Sequence, residues 1–156
     1  MQADFEIQRA TLSDNTPGDD QFRLWLDAIP AAEDQQYVLG IRIVDAEEAQ
    51  RFNRDYRNRD YATNVLSFPA DLPEGVPDEL RRTQLGDLLI CAPVVEREAL
   101  EQNRPAADHW AHLTIHGILH LLGYDHELPG EAVVMESMET EILASLGISD
   151  PYVDIT

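Results

Sequence analysis

The segment from Pro105 to Leu122 constrains the fold more than any other, because it is helix-length and must carry two different surfaces on one cylinder. At 100° per residue, Ala111, Ile115, Ile118, Leu119 and Leu122 fall within an arc of roughly 100°, a stripe that has to face a core. His109, His112, His116 and His120 lie within about 80° of one another, bordering that stripe and pointing the same way. Four of the five histidines in the 156 residues lie between His112 and His126. The helix therefore packs by its apolar stripe and holds its imidazoles together on one side.

Geometry decides which histidines can share an ion. Zinc holds imidazole nitrogens at about 2.0–2.1 Å, so ligands must converge as side chains at i and i+4 do. Residues eight apart are separated by about 12 Å along the axis, so His112 and His120 cannot both join His116 on one ion. Gly123 can end the helix in a left-handed conformation, and the turn after it can bring His126 back toward His120. His116, His120 and His126 then have the ligand spacing of the metzincin signature, with Gly123 at the signature's glycine. Three neutral imidazoles with an open fourth position describe a catalytic zinc that acidifies a bound water. The signature's general base, a Glu after the first His, is here Gly117. That substitution disfavours peptide hydrolysis, whose amine leaving group needs a proton shuttle. Phosphodiester chemistry suffers less, because an arginine and the metal can hold the developing charge. His112 reads as a residue behind the ligands or facing substrate, His109 as structural, and Asp125 as a carboxylate that orients a ligand or caps the turn.

The rest of the chain reads as a small α+β domain spanning residues 1–156. Strands are expected at Asp4 to Ala10, Tyr37 to Val44, Thr63 to Pro69 and Gly86 to Ala92. Helices are expected at Gln21 to Ile29, Ala46 to Tyr56 with Asp45 as cap, Pro93 to Gln102, Pro105 to Leu122, and Glu131 to Leu146. A Pro/Glu-rich surface loop, Ala70 to Gln84, could act as a flap. This order indicates a mixed sheet of about four strands with helices packed on one face, carrying a zincin-like metal-site helix. The single cysteine, Cys91, lies in an apolar run, which suits a buried residue in a reducing compartment. No basic-then-apolar leader and no run near the roughly 20 residues of a membrane span is present, so the expectation is a soluble, cytoplasmic protein without membrane contact.

Thirty acidic residues against eleven basic ones give a net charge of -19, which by itself opposes binding to a polyanion. All eleven basic residues are arginine, and Arg51, Arg54, Arg57 and Arg59 fall within nine positions. Either they form a local phosphate-binding patch, or they are a solvated helix face paired with Glu47, Glu48, Asp55 and Asp60.

The stretch His116-Gly-Ile-Leu-His-Leu-Leu-Gly-Tyr-Asp-His126 resembles the signature of the YbeY family, bacterial metal-dependent endoribonucleases that act as rRNA maturation factors. Tyr56-Arg57 with Asp60, Thr63 to Pro69, Gly86 to Ile90 and the ending Asp150-Pro-Tyr152 agree in order and spacing, so the likeness covers nearly the whole chain. The resemblance implies zinc on His116, His120 and His126 and a contribution of Arg57 to activity. It further implies single-strand-specific RNA cleavage, maturation of the 3′ end of small-subunit rRNA, and ribosome quality control. The implied partners are single-stranded RNA or rRNA and the ribosome or its small-subunit proteins. Two competing readings are a metallohydrolase of peptide or ester bonds, and a non-catalytic ribosome-assembly factor whose zinc only staples helix to turn.

Overall fold

The computed structural model of the chain describes residues 1–31, 34–124 and 128–153. Four strands, β1 (Ala3–Ala10), β2 (Tyr37–Val44), β3 (Val65–Pro69) and β4 (Gln84–Cys91), form one sheet in the order β1-β2-β4-β3. The first three in that order run parallel, and β3 closes the edge antiparallel to β4. Alternation sorts β2: Tyr37, Leu39, Ile41 and Ile43 are buried, while Val38 is exposed and Arg42 half-buried. The helices are α1 (Asp19–Asp27), α2 (Ala46–Arg57), α3 (Asp78–Thr83), α4 (Ala92–Glu101), α5 (Ala106–Leu121) and α6 (Pro129–Ser145). This is the expected mixed α+β architecture, and the main core lies between one sheet face and α1, α5 and α6. A smaller cluster, including Leu66, Leu89, Val44 and Ala49 of α2 with Phe52 and Phe68 packed on it, covers part of the opposite face.

Helix α5 is the centre of the molecule. Of the predicted stripe, Ala111, Ile115, Ile118 and Leu119 are fully buried and Leu122, the C-cap, is half-buried, while Trp110 and Leu113 are buried beside them. Burial of each large side chain is worth roughly 1.5–3 kcal/mol, so this helix is held by packing on several sides rather than by one stripe. Its end is a Schellman turn. Gly123 has φ 106°, its N–H donates to the His120 carbonyl, and the Tyr124 N–H donates to the Leu119 carbonyl.

Three expectations change. The segment 70–84 is not a continuous loop, because Asp78–Thr83 forms α3 after Pro77, with acidic residues in its first turn and Arg81 and Arg82 in its last. Asp45 stands at the N-cap of α2, but its carboxylate makes no capping bond; it accepts hydrogen bonds from the Thr11 hydroxyl and the Leu12 N–H, tying down the loop after β1. Helix α1 begins at Asp19, earlier than expected, because the Gln21 side chain accepts from the Gly18 N–H and two aspartates complement the helix start. Cys91 is buried and unbridged, as expected.

Candidate metal centre and its cleft

Helix α5 and edge strand β3 approach closely enough to form the floor of a cleft, and glycine makes this approach feasible. A Cβ at Gly117 would lie 2.7 Å from Leu88 Cδ2, 3.3 Å from Ser67 Oγ and 3.4 Å from Val65 Cγ2. The missing side chain thus lets the helix sit on β3 and β4, and the Ser67 hydroxyl donates to the Gly117 carbonyl at 3.0 Å. The absence of a glutamate there, read from the sequence as missing chemistry, is equally a packing requirement.

The cleft above this contact has a volume of about 650 Å³ and is lined by Arg57, Ser67, His112, His116, His120 and Tyr152 among others. The His116 and His120 rings meet edge to face with centroids 4.8 Å apart, as i and i+4 on one helix face should. Of the four clustered arginines, Arg57 alone lines the cleft, its guanidinium donating to the Ser67 carbonyl at 3.2 Å. The others follow the solvated reading in the main. Arg54 pairs with Asp55, Arg59 donates to the Tyr61 hydroxyl, and Arg51 lies over the Phe52 ring. Glu48 is bonded by Arg42, with Arg51 of the cluster attracting it from further away, and Asp60 is bonded by Gln50.

Behind the histidines lies a residue that the sequence reading did not single out. Glu139 of α6 is fully buried, and one carboxylate oxygen accepts a hydrogen bond from His116 Nδ1. The other oxygen accepts from the Tyr152 hydroxyl and lies 3.4 Å from His112 Nε2. His112 Nε2 is also 3.3 Å from the Tyr152 oxygen. Among the described residues, the ligand atoms of His112, His116 and Glu139 lie within 4.8 Å of one another, close enough to form a metal site. Burial opposes ionisation of Glu139, but hydrogen bonds from His112, His116 and Tyr152 and the charge of His116 outweigh it and hold the carboxyl down to about 2. Burial, then the Glu139 carboxylate, push the Tyr152 hydroxyl well above the usual phenol range.

A profile of the family described as "Endoribonuclease YbeY" matches residues 5–147. The chain belongs to this family. A relative from Alkalilimnicola ehrlichii, named Endoribonuclease YbeY, is 57% identical over 138 residues, covering 87% of this chain and 82% of its own. One from Stenotrophomonas maltophilia, with the same name, is 53% identical over 152 residues, covering 97% and 94%. A solution structure from Thermotoga maritima is more distant, at 23% identity and a TM-score of 0.49, covering 95% of this chain and 99% of that one.

Set on the fold, most of the YbeY-family motifs that carried the resemblance reach one cleft, whereas Gly86 to Ile90 lies in β4 outside its lining. Tyr56-Arg57 ends α2, Val65–Pro69 forms the free sheet edge, His116 and His120 face the cleft from α5, and Tyr152 borders it. His126, expected as the third ligand, and Asp125, expected to orient one, lie outside the described residues. His112 faces the cleft, engaged with Tyr152 and Glu139. His109 is buried and bonded to Glu98 at 3.0 Å, the structural role expected of it. One signal for Glu139 was available: it is an acidic residue among apolar ones in α6, whose buried residues are Met135, Glu139, Ile142 and Leu143. That spacing puts Glu139 on the core face, where a carboxylate needs a partner.

Proposed function

We propose that the protein is a single-strand-specific, zinc-dependent endoribonuclease that matures the 3′ end of small-subunit rRNA and serves in ribosome quality control, its residues 1–156 acting as one cytoplasmic metallo-endoribonuclease domain. The observation that carries the reading is that Arg57 lines the same cleft as the His116/His120 pair, in a chain of the YbeY family.

The ligand set of this reading is His116, His120 and His126. The donor chemistry fits zinc: His116 turns Nδ1 toward the buried Glu139 carboxylate, the arrangement in which a carboxylate supports a histidine that binds metal through Nε2. Zinc bound there supplies Lewis acidity to a phosphate oxygen and lowers the pKa of a bound water. The protein's own residues do the rest. Arg57, held at the rim by Ser67, offers a planar fork to the scissile phosphate and neutralises the charge that builds on it. The close seat of α5 on the sheet at Gly117 brings α5 and β3 together as a floor along which a single strand can lie.

The acidic body is met by basic partners in this reading. Glu6 and Asp87, with Asp4 and Asp71, line a groove on the sheet on the side of β1 and β4, a surface suited to a basic small-subunit ribosomal protein rather than to RNA. The deciding experiment measures metal content and cleavage of single-stranded RNA for wild type, His116→Ala and Arg57→Ala. Loss of both metal and cleavage in the first variant, and of cleavage alone in the second, is expected. Undiminished cleavage by metal-free His116→Ala would overturn the reading.

A further inference from the structure

The chain closes over its metal site from behind. Tyr152 belongs to the turn after α6, and three contacts hold that turn: the Tyr152 N–H donates to the Asp150 carboxylate at 2.8 Å, the Thr140 hydroxyl reaches the same oxygen at 3.4 Å, and the Arg104 guanidinium donates to the Pro151 carbonyl. The Tyr152 ring stands edge to face against His112, centroids 5.4 Å apart, and its hydroxyl donates to Glu139. Glu139 therefore has one oxygen facing His116 and the other fixed by Tyr152 and His112.

Two features separate this arrangement from direct ligation of an ion by Glu139. Ligand atoms on one tetrahedral zinc stand about 3.3 Å apart, by the geometry of bonds near 2.0 Å. His116 Nδ1 and the Glu139 carboxylate are closer than that, in direct hydrogen-bond contact, as a carboxylate supporting a ligating histidine is. Both His116 Nδ1 and His112 Nε2 also face oxygens of Glu139, so His116 presents its other nitrogen, Nε2, on the side away from the carboxylate.

We propose that Glu139 and Tyr152 are positioning residues for the metal: Glu139 fixes the ring orientation and tautomer of His116, and Tyr152, latched by Arg104 and Asp150, fixes Glu139. The proposal rests on the ligand set given above. It assigns a physical task to the ending Asp150-Pro-Tyr152, which holds a buried carboxylate rather than touching the ion. Such outer partners of a metal-bound histidine typically change metal affinity 10–100-fold when removed.

The test is zinc affinity by competition against a chromophoric chelator, for wild type, Glu139→Gln, Tyr152→Phe, the double variant and His120→Ala, with the absorption spectrum of each cobalt-loaded protein. Glu139→Gln is expected to weaken zinc about 10–100-fold while leaving the cobalt band that reports ligand number in place. Tyr152→Phe should weaken zinc less, and the double variant should bind no more weakly than Glu139→Gln, because Tyr152 acts through Glu139. Wild-type affinity in Glu139→Gln, a multiplied loss in the double variant, or a cobalt spectrum showing a lost ligand would each overturn the proposal. Tyr152→Phe removes one oxygen from a half-exposed ring, so if Glu139→Gln does not fold, unchanged affinity in Tyr152→Phe is enough to overturn it and a loss supports it. Wild-type affinity in His120→Ala would instead refute the ligand set.

Discussion

Replacing Gly117 by alanine tests the contact that brings α5 onto the sheet edge. In an unobstructed helix interior this change stabilises by roughly 1 kcal/mol, since alanine is the better helix former. Here the added methyl would come within 2.7 Å of Leu88 Cδ2, and Leu88 is fully buried, so neither side can yield freely. Overpacking of a well-packed core costs about 1–3 kcal/mol. The net expectation is a destabilisation of about 1 kcal/mol, the difference of those two effects. Gly130 is an internal control: it is an exposed residue of α6 with no atom within 4 Å of a Cβ, so alanine there should be neutral or stabilising by up to about 1 kcal/mol. The assay is urea unfolding of the metal-free protein followed by circular dichroism, comparing midpoints at a common slope. A double-mutant cycle isolates the cause. Leu88→Ala alone should cost about 2–5 kcal/mol, and in the Gly117→Ala background it should cost about 1–3 kcal/mol less, the overpacking that is relieved when the clashing methyl is gone. A Gly117→Ala protein as stabilised as Gly130→Ala, or a cycle that is strictly additive, would refute the packing argument.

Arg57→Ala should lower RNA cleavage about 10²–10³-fold, the usual loss for one charge-stabilising donor. Zinc content should not change, and the urea midpoint should move by less than about 0.5 kcal/mol, because the Arg57 contact with Ser67 is exposed. Glu98→Ala strands the partners His109 and Asn64, so chemical unfolding should show a loss of about 1–3 kcal/mol. Burial opposes ionisation of Glu98, but bonds from His109 and Asn64 prevail and lower its carboxyl below the ordinary 4.5. Its stabilisation is therefore complete above that value and is lost as pH falls through and below it. Glu98→Gln should flatten this acid limb of the stability profile, and an unchanged limb would count against the assignment.

The sequence determined what is written in short windows. The stripe on α5, the i, i+4 pair His116 and His120, and the left-handed turn at Gly123 follow from helix periodicity and from backbone conformations open to glycine. The strands of alternating character, β2 above all, and the family motifs were legible for the same reason. A short helix such as α3, with no buried residue, left no apolar period to read. What only the tertiary structure decided are the contacts between residues far apart in the chain. Glu139 meets His116 across 23 positions and Tyr152 meets His112 across 40, and neither pairing leaves a trace in local spacing. The choice of Arg57 from four arginines rests on where α2 ends against β3, and the need for glycine at 117 on how near α5 comes to Leu88. Periodicity orients a side chain relative to its own helix; the neighbour it meets is set by packing.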